Sequence, residues 1–323
     1  MSLFFTLQSM DKKLIPEGLS PKYQNLLKSF FNSYKDVTGG GEEILEQFKR
    51  LLIQQIQDPF TFEPYHKKIR KPIDYYKFSL DFIRPLIDLP HSKLHGLDIL
   101  NQIEEQLAKG ENVVLLANHQ TEADPQAISI LLEDNYSHIG EKIIYVAGER
   151  VTTDPLAIPF SMGTDLLCIY SKRYIDHPPE LKMQKQLHNK NTMTLMSHLL
   201  KDGGKIIYVA PSGGRDRKNK DGEIEIALFD PASIEMFYLM ALRAKTPTHF
   251  YPLSLATYEL LPPPETIQKE LGEARVAKRS PIQIAFSPEF NMDKFPGFEE
   301  NDKTSRRKMR ADAIWDIVRK RIS

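Results

Sequence analysis

The sequence of 323 residues has a single cysteine, Cys168. One thiol excludes an internal disulfide and any metal site built from several cysteines. Because Cys168 lies in the apolar run "DLLCIY", a core position is favoured over a role as nucleophile. No apolar run approaches the length of a membrane-spanning helix, and the N-terminus lacks the pattern of a secretory signal or transit peptide. We expect either a cytoplasmic chain or a mature form whose targeting segment has been removed.

An excess of charge is also absent, since Lys plus Arg and Asp plus Glu each number 43. A neutral total gives no global reason to expect nucleic acid or an anionic membrane as partner. Basic stretches at 65–72, 275–279 and 306–310 leave open a local contact with an acidic protein or with anionic lipid head groups. The sequence contains no G-x-S-x-G, no P-loop and no dinucleotide fingerprint, so no nucleotide cofactor is expected.

The first 88 residues have the pattern of amphipathic helices without strands. Apolar residues from Tyr23 to Tyr34 recur at helical spacing, after an N-cap at Ser20 and a first-turn proline at Pro21. Two further helical periodicities follow. We predict a small N-terminal helical bundle over residues 1–88.

From residue 89 onward, short β-rich runs alternate with helical patterns. This alternation predicts an α/β domain over residues 89–323, a layered mixed sheet with flanking helices. Parallel strands deliver the residues at their carboxyl ends to a ligand crevice. The predicted strands lie at 113–117, 142–147, 165–170, 205–210, 249–256 and near 282–286.

The run "VVLLA" is followed directly by "NHQTEADP", which contains His119 and Asp124. Histidine is the natural general base near neutral pH, and a carboxylate across one tight turn could hold its second ring nitrogen. A structural reading is also open. His119 could be a hydrogen-bonded turn residue, and Asp124 followed by Pro125 could be a helix N-cap.

Two other predicted strands end in basic loops, "YSKRYI" at 170–175 and "APSGGRDRK" at 210–218. Strand ends at one edge of a sheet can converge, and arginine suits bidentate contact with phosphate. Gly213 and Gly214 would let the backbone approach a ligand closely. The alternative for the second loop is an exposed polar hairpin. The predicted cationic pocket consists of Lys172, Arg173, Arg215 and Arg217.

These elements, in this order, resemble the glycerolipid acyltransferases, whose first block is His, four residues, Asp. The segments "NHQTEADP", "AGERVTTDPLAIPFSMG", "YSKRY", "APSGGRDR" and "PLSLATYELLPPP" resemble the soluble glycerol-3-phosphate acyltransferases of plant plastids and their bacterial relatives. The likeness covers roughly residues 65–290. It implies transfer of a fatty acyl group from an acyl-carrier-protein or coenzyme A thioester to the sn-1 hydroxyl of glycerol 3-phosphate, giving lysophosphatidic acid without a metal.

The resemblance also implies residue roles. His119 would be the base and Asp124 its orienting partner. Arg215 and Arg217 would hold the substrate phosphate, with Lys172, Arg173 and Tyr174 as further ligands. That branch usually has Lys-His where this chain has Arg173 and Tyr174; an arginine can replace a lysine at a phosphate, whereas a tyrosine donates only one neutral hydrogen bond. Other residues of the matching segments are expected to line the site: Arg150, Ser212, Gly213 and Gly214.

Other functions remain open at this point. The acceptor could be lysophosphatidic acid, the chain could be a thioesterase, or it could bind phosphate or lipid without catalysis. The segment 148–163 could be plain loop packing or one wall of an apolar ligand groove. A bacterial cytoplasm is the favoured location, with peripheral membrane contact as an option and the plastid stroma as the alternative for a processed chain.

Overall fold

The computed structural model describes residues 21–171, 175–264 and 273–321. Ser20, the predicted N-cap, and three predicted phosphate ligands, Lys172, Arg173 and Tyr174, lie outside these ranges. Within them, no helix combines the length and the apolar character needed to cross a membrane.

The predicted helices are all present. Two short helices, Glu149–Thr153 and Ile158–Ser161, also occupy the Gly- and Pro-rich connection around residues 148–163, which the sequence pattern did not show as helical. Short 3-10 turns lie at Arg84–Leu86, Leu89–His91 and Pro179–Leu181. The helices are α1 (Pro21–Thr38), α2 (Glu42–Gln57), α3 (Tyr75–Ile83), α4 (Leu97–Ala108), α5 (Asp124–Gly140), α6 (Glu149–Thr153), α7 (Ile158–Ser161), α8 (Lys182–Asp202), α9 (Pro231–Ala244) and α10 (Lys303–Arg321).

The strands form a mixed eight-stranded sheet of order β1-β5-β4-β6-β3-β9-β10-β2, which confirms the predicted α/β class. The five strands from β5 to β9 in that order are parallel, whereas β1 with β5 and β10 with β9 are antiparallel. A separate hairpin pairs β7 with β8. The strands are β1 (Tyr65–His66), β2 (Lys93–His95), β3 (Asn112–Ala117), β4 (Ile143–Gly148), β5 (Asp165–Ile169), β6 (Ile206–Val209), β7 (Arg217–Lys218), β8 (Ile224–Glu225), β9 (Thr248–Ala256) and β10 (Gln283–Phe286).

The central strand β3 is buried on both faces. Val113 and Leu115 pack into one hydrophobic core, and Val114 and Leu116 into the other. Because side chains alternate between faces of a sheet, burial on both sides requires a continuous apolar run rather than alternation with polar residues.

The N-terminal helices share a core with the α/β part of the chain. The rings of Phe48 and Phe82 lie 5.3 Å apart, and Phe82 lies 5.2 Å from Phe160 of the β4–β5 connection. The strand β1 lies at one edge of the sheet and pairs with β5, so the expectation of no strand in the first 88 residues was wrong. Two residues are too few to show a β period. The division at residues 88 and 89 stays a prediction.

Candidate active site

The carboxyl ends of the parallel strands place three predicted segments at one edge of the sheet. These are the segment after β3, the α6 region after β4, and the loop after β6. Asn118 fixes the end of β3, since its side chain donates to Leu255 O and accepts from Leu255 N, at 2.9 and 2.8 Å. The strand end is therefore anchored to β9 immediately before His119.

His119 and Asp124 are in direct contact. Nδ1 of His119 lies 2.7 Å from Oδ2 of Asp124, and the His119 side chain is 30% exposed while that of Asp124 is 1% exposed. An ionised carboxylate can only accept, so Nδ1 donates and the lone pair of the neutral ring is on Nε2. A partly accessible imidazole with Nε2 unprotonated is the form that a general base requires.

The carboxylate of Asp124 has further donors on both oxygens. Its Oδ2 accepts from the backbone N–H of Gln120 at 2.9 Å, and its Oδ1 accepts from the backbone N–H of Thr121 at 3.3 Å. Oδ1 also accepts from Thr257 Oγ1 at 2.6 Å. These contacts fix the carboxylate in the orientation that it presents to His119.

Asp124 is the first residue of α5 rather than its N-cap. Ala123 is the cap residue and makes no side-chain cap bond. The N–H groups that Asp124 accepts from belong to the loop before the helix, so the carboxylate organises the His119 turn instead of capping α5. The alternative left open by the sequence is thus decided against capping.

Asp216 joins the His119 turn to the loop after β6. Its backbone N–H donates to His119 O at 2.7 Å, and its carboxylate accepts from Asn118 Nδ2 at 2.9 Å and from Gln120 Nε2 at 3.2 Å. Burial raises the pKa of this carboxyl group, while the hydrogen bonds from Asn118, the Ala227 N–H and Gln120 lower it. Sequence reasoning missed Asp216, although its place between two predicted phosphate ligands was a signal.

Arg215 is held by two carboxylates. Its Nη2 lies 2.5 and 2.7 Å from the two oxygens of Glu273, and its Nη1 lies 3.8 Å from Glu122 Oε1. Arg150 reaches the same Glu273, with Nη1 3.2 Å from Oε2. The structure therefore brings Arg150 and Arg215 together through one shared acid.

Glu122 lies between Arg215 and Arg275 and so extends the network of ion pairs to Arg275. Nε of Arg275 lies 2.8 Å from Glu122 Oε2, and its Nη2 lies 3.0 Å from Asp154 Oδ2. Burial raises the pKa of Glu122, but Arg275 and Arg215 lower it by more, to about 2. The sequence indicated Arg275 only as part of a basic stretch, because its partners are far away in the chain.

The other described residues of the predicted site lie between the end of β6 and the start of the β7–β8 hairpin. Nη1 of Arg217 donates to Asp216 O at 3.2 Å at the start of the β7–β8 hairpin, so the hairpin alternative was right for residues after Asp216. Ser212 Oγ donates to Gly214 O at 2.8 Å. Gly213 has φ +64°, and no atom lies within 4 Å of a Cβ built at either Gly213 or Gly214.

An apolar pocket lies beside the charged network. It is bounded by Glu122 and Arg275 on the site side and by side chains of the α6–α7 region and the N-terminal helices on the other. The segment 148–163 thus forms one wall of a groove, as the sequence left open. The apolar part of the lining is Phe30, Phe82, Ile83, Ala123, Val151, Leu156, Ala157, Phe160 and Leu261.

Comparison with known proteins matches residues 98–256 to the family model described as Acyltransferase. The chain is 43% identical over 279 residues to a glycerol-3-phosphate acyltransferase, chloroplastic, of Spinacia oleracea, covering 85% of this chain and 58% of the relative. It is 44% identical over 245 residues to the protein of that name from Arabidopsis thaliana, covering 76% and 53%. It is 40% identical over 264 residues to the glycerol-3-phosphate acyltransferase, chloroplastic, of Pisum sativum, and the match covers 81% of this chain and 58% of the relative. The chain spans a little over half the length of these relatives.

Proposed function

We propose that the chain is a glycerol-3-phosphate 1-O-acyltransferase, because residues 98–256 match the Acyltransferase family model and two chloroplastic proteins of that name are 43% and 44% identical to it. It would transfer a fatty acyl group from a thioester to the sn-1 hydroxyl of glycerol 3-phosphate and release lysophosphatidic acid and a thiol. The 2.7 Å contact between His119 and Asp124 at the end of β3 is the observation that carries the proposal.

In the proposed mechanism, Nε2 of His119 accepts the proton of the acceptor hydroxyl as its oxygen attacks the thioester carbonyl. Asp124 stabilises the imidazolium that forms, because its carboxylate already accepts from Nδ1. The tetrahedral intermediate then collapses, the C–S bond breaks, and the imidazolium gives its proton to the departing thiolate. General-base catalysis of this kind is worth about 10²- to 10⁴-fold in rate.

The substrate phosphate would bind away from the reacting hydroxyl, at Arg215 and Arg217 with Lys172, Arg173 and Tyr174. Holding the acceptor at a remote anionic group converts the attack into a nearly intramolecular step. The contact that supports this placement is the hydrogen bond from the Asp216 N–H to His119 O, because it holds the segment that contains Arg215 and Arg217 next to the base.

The acyl chain of the donor would enter the apolar pocket beside Glu122. Transfer of an alkyl chain from water to such a lining is favourable by about 0.8 kcal/mol for each methylene. The pocket lies next to Ala123 and so close to the His119 turn. We leave the donor open between acyl-carrier protein and acyl-coenzyme A, and a comparison of kcat/KM for the two thioesters with one acyl chain separates them.

The experiment that tests the proposal is thiol release by the purified chain with and without glycerol 3-phosphate. Release that depends on the acceptor, with lysophosphatidic acid identified by mass spectrometry, supports it. Release without acceptor indicates a thioesterase, a faster reaction with lysophosphatidic acid indicates the other acyltransferase, and binding without release indicates a non-catalytic protein.

We also propose contact with an anionic lipid surface, on α9 rather than at the basic stretches of the sequence. Arg275 and Arg310 of those stretches are paired with buried or half-buried acids, which removes much of their field. On α9, Met236, Leu239 and Leu242 are exposed, and Arg243 of the same helix is exposed as well. Sedimentation with phosphatidylglycerol vesicles should recover the protein, and replacing Leu242 with glutamate should reduce that recovery; equal recovery of both proteins would contradict the contact.

The compartment is a proposal as well. The relatives described above are chloroplastic by name, which supports the plastid stroma, the alternative location, over the bacterial cytoplasm. Fractionation of the source cells with antibody detection decides between them, because recovery in a plastid fraction is incompatible with a bacterial location.

A further inference from the structure

Three arginines and three carboxylates form an alternating chain beside the His119 turn. Each positive group contacts a negative one, and the formal charges of the six side chains cancel. A neutral cluster attracts a phosphate dianion only weakly, because every guanidinium already has a counter-anion close by. In order, the alternating side chains are Arg150, Glu273, Arg215, Glu122, Arg275 and Asp154.

Glu273 occupies the place in this chain where a phosphate would compete. Both of its oxygens lie against Arg215 Nη2, at 2.5 and 2.7 Å, and Oε2 lies 3.2 Å from Arg150 Nη1. Its side chain is only 6% exposed. One anion shared by two guanidinium groups is a position that a phosphate could take, because its oxygens also accept charge-assisted hydrogen bonds from arginines.

Glu273 also differs from the other two acids of the chain. Glu122 and Asp154 both pair with Arg275, so they hold a buried cation that the proposed function does not use. The carboxylate of Glu273 makes its ion pairs, among the described residues, with Arg150 and Arg215 alone. An anion that displaces it leaves Glu122 and Asp154 in place on Arg275.

We propose that Glu273 sets the affinity of the phosphate site, as an internal anion that the substrate phosphate must displace from Arg150 and Arg215. The proposal depends on the proposed function, because it assumes that Arg215 binds the acceptor. Glu273 is a monoanion attached to the chain and is therefore present at high effective concentration. Displacing Glu273 costs every free anion the same free energy, so it raises each dissociation constant by the same factor. A phosphate dianion can meet that cost through its second charge, whereas a free monoanion only replaces the charge of Glu273.

Glu273→Gln tests this, because it keeps the shape and one acceptor oxygen but removes the charge. We expect the KM for glycerol 3-phosphate to fall about fivefold while kcat and the donor KM stay within about twofold, since weaker competition from the chain raises acceptor affinity. The inhibition constant of glycerate, a monoanionic analogue, should fall by a similar factor, because the same carboxylate no longer has to be displaced.

Glu235→Gln is the matched control. Glu235 pairs with Arg310 at 2.5 Å and with Arg307 at 3.1 Å, and its side chain is 16% exposed, but it lies on α9, outside the proposed substrate site. Glu235→Gln should leave the KM for glycerol 3-phosphate and the inhibition constant of glycerate unchanged. Glu273→Ala removes the same charge with a smaller side chain and should shift KM in the same direction, and thermal unfolding checks that each variant is folded.

The outcomes distinguish a failure of the Glu273 role from a failure of the proposed phosphate site. An acceptor KM that rises or does not change in folded Glu273→Gln or Glu273→Ala overturns the competitor role. If Arg215→Ala leaves the acceptor KM unchanged, the phosphate site of the proposed function fails, whatever the Glu273 variants do. A fall in KM for Glu273→Gln together with a rise for Arg215→Ala supports both.

Discussion

Asp124 connects the ends of two neighbouring strands, since its Oδ2 lies 2.7 Å from His119 Nδ1 after β3 and its Oδ1 lies 2.6 Å from Thr257 Oγ1 after β9. The carboxylate is buried, so each of these bonds restricts its orientation and, through it, the imidazole. The base is therefore positioned by a contact that spans 133 residues of sequence.

His119→Ala should lower kcat by about 10²- to 10⁴-fold, because the proton of the acceptor hydroxyl loses its base. The KM values for both substrates should change little. Steady-state kinetics over a range of each substrate measures this. Activity retained within tenfold would show that another group takes the proton.

Thr257→Val should lower kcat about fivefold, the loss expected when one hydrogen bond of about 1 kcal/mol to Asp124 is removed. A purely structural role would lower thermal stability alone, so the diagnostic readout is the pH profile of kcat, whose acidic limb should shift. The matched control is Thr248→Val at the other end of β9, where the hydroxyl donates to Thr246 O instead. Equal profiles for the two variants would contradict the positioning role.

Arg215→Ala should raise the KM for glycerol 3-phosphate at least tenfold while the donor KM changes less than twofold. A charge-assisted contact with phosphate contributes about 1.5–3 kcal/mol, which corresponds to that range. Arg217→Ala should act in the same direction. Arg50→Ala, an exposed arginine on α2, serves as the control, and equal effects on donor and acceptor would argue against phosphate binding.

Glu122 should make folding stability depend on pH. Its pKa is lowered to about 2 in the folded protein, because Arg275 and Arg215 outweigh the effect of burial. A carboxyl group whose pKa is lowered by folding contributes stability that is complete above its unfolded pKa. That stability is lost as the pH falls from the unfolded pKa toward and through the folded pKa. Between pH 5 and 3 the wild type should lose about 2 kcal/mol more than Glu122→Gln. Urea unfolding at several pH values measures the difference, and parallel curves would refute it.

Ala157→Leu should shorten the preferred acyl chain, because the larger side chain fills part of the pocket that Ala157 lines together with Leu156 and Phe160. Each methylene that can no longer be buried costs about 0.8 kcal/mol, close to fourfold in kcat/KM. The ratio of kcat/KM for a sixteen-carbon and an eight-carbon donor should fall, while the value for the shorter donor is retained. An unchanged ratio would place the acyl chain elsewhere.

Much of the site could be predicted because it follows strand ends. The apolar run before His119 predicted a buried strand, and the runs before the basic loops predicted neighbours in the same sheet. Parallel strands put such positions at one edge whatever their order. Asp216 and Glu122 lie within these segments, but the side chains that donate hydrogen bonds to their carboxylates lie about 100 residues or more away in the sequence. The local sequence pattern therefore could not predict these contacts.

The sequence by itself determined the longer helices and strands, the α/β class and the residues that follow the predicted strands, because hydrophobic period and turn chemistry are local properties of the chain. Only the tertiary structure decided what those residues contact. It turned Asp124 from a possible helix cap into the partner of His119, and it placed Glu273, from a distant segment, on Arg150 and Arg215. Ion pairs across 58 and 123 residues depend on how the loops pack, and the energy of a buried charge depends on all the groups around it.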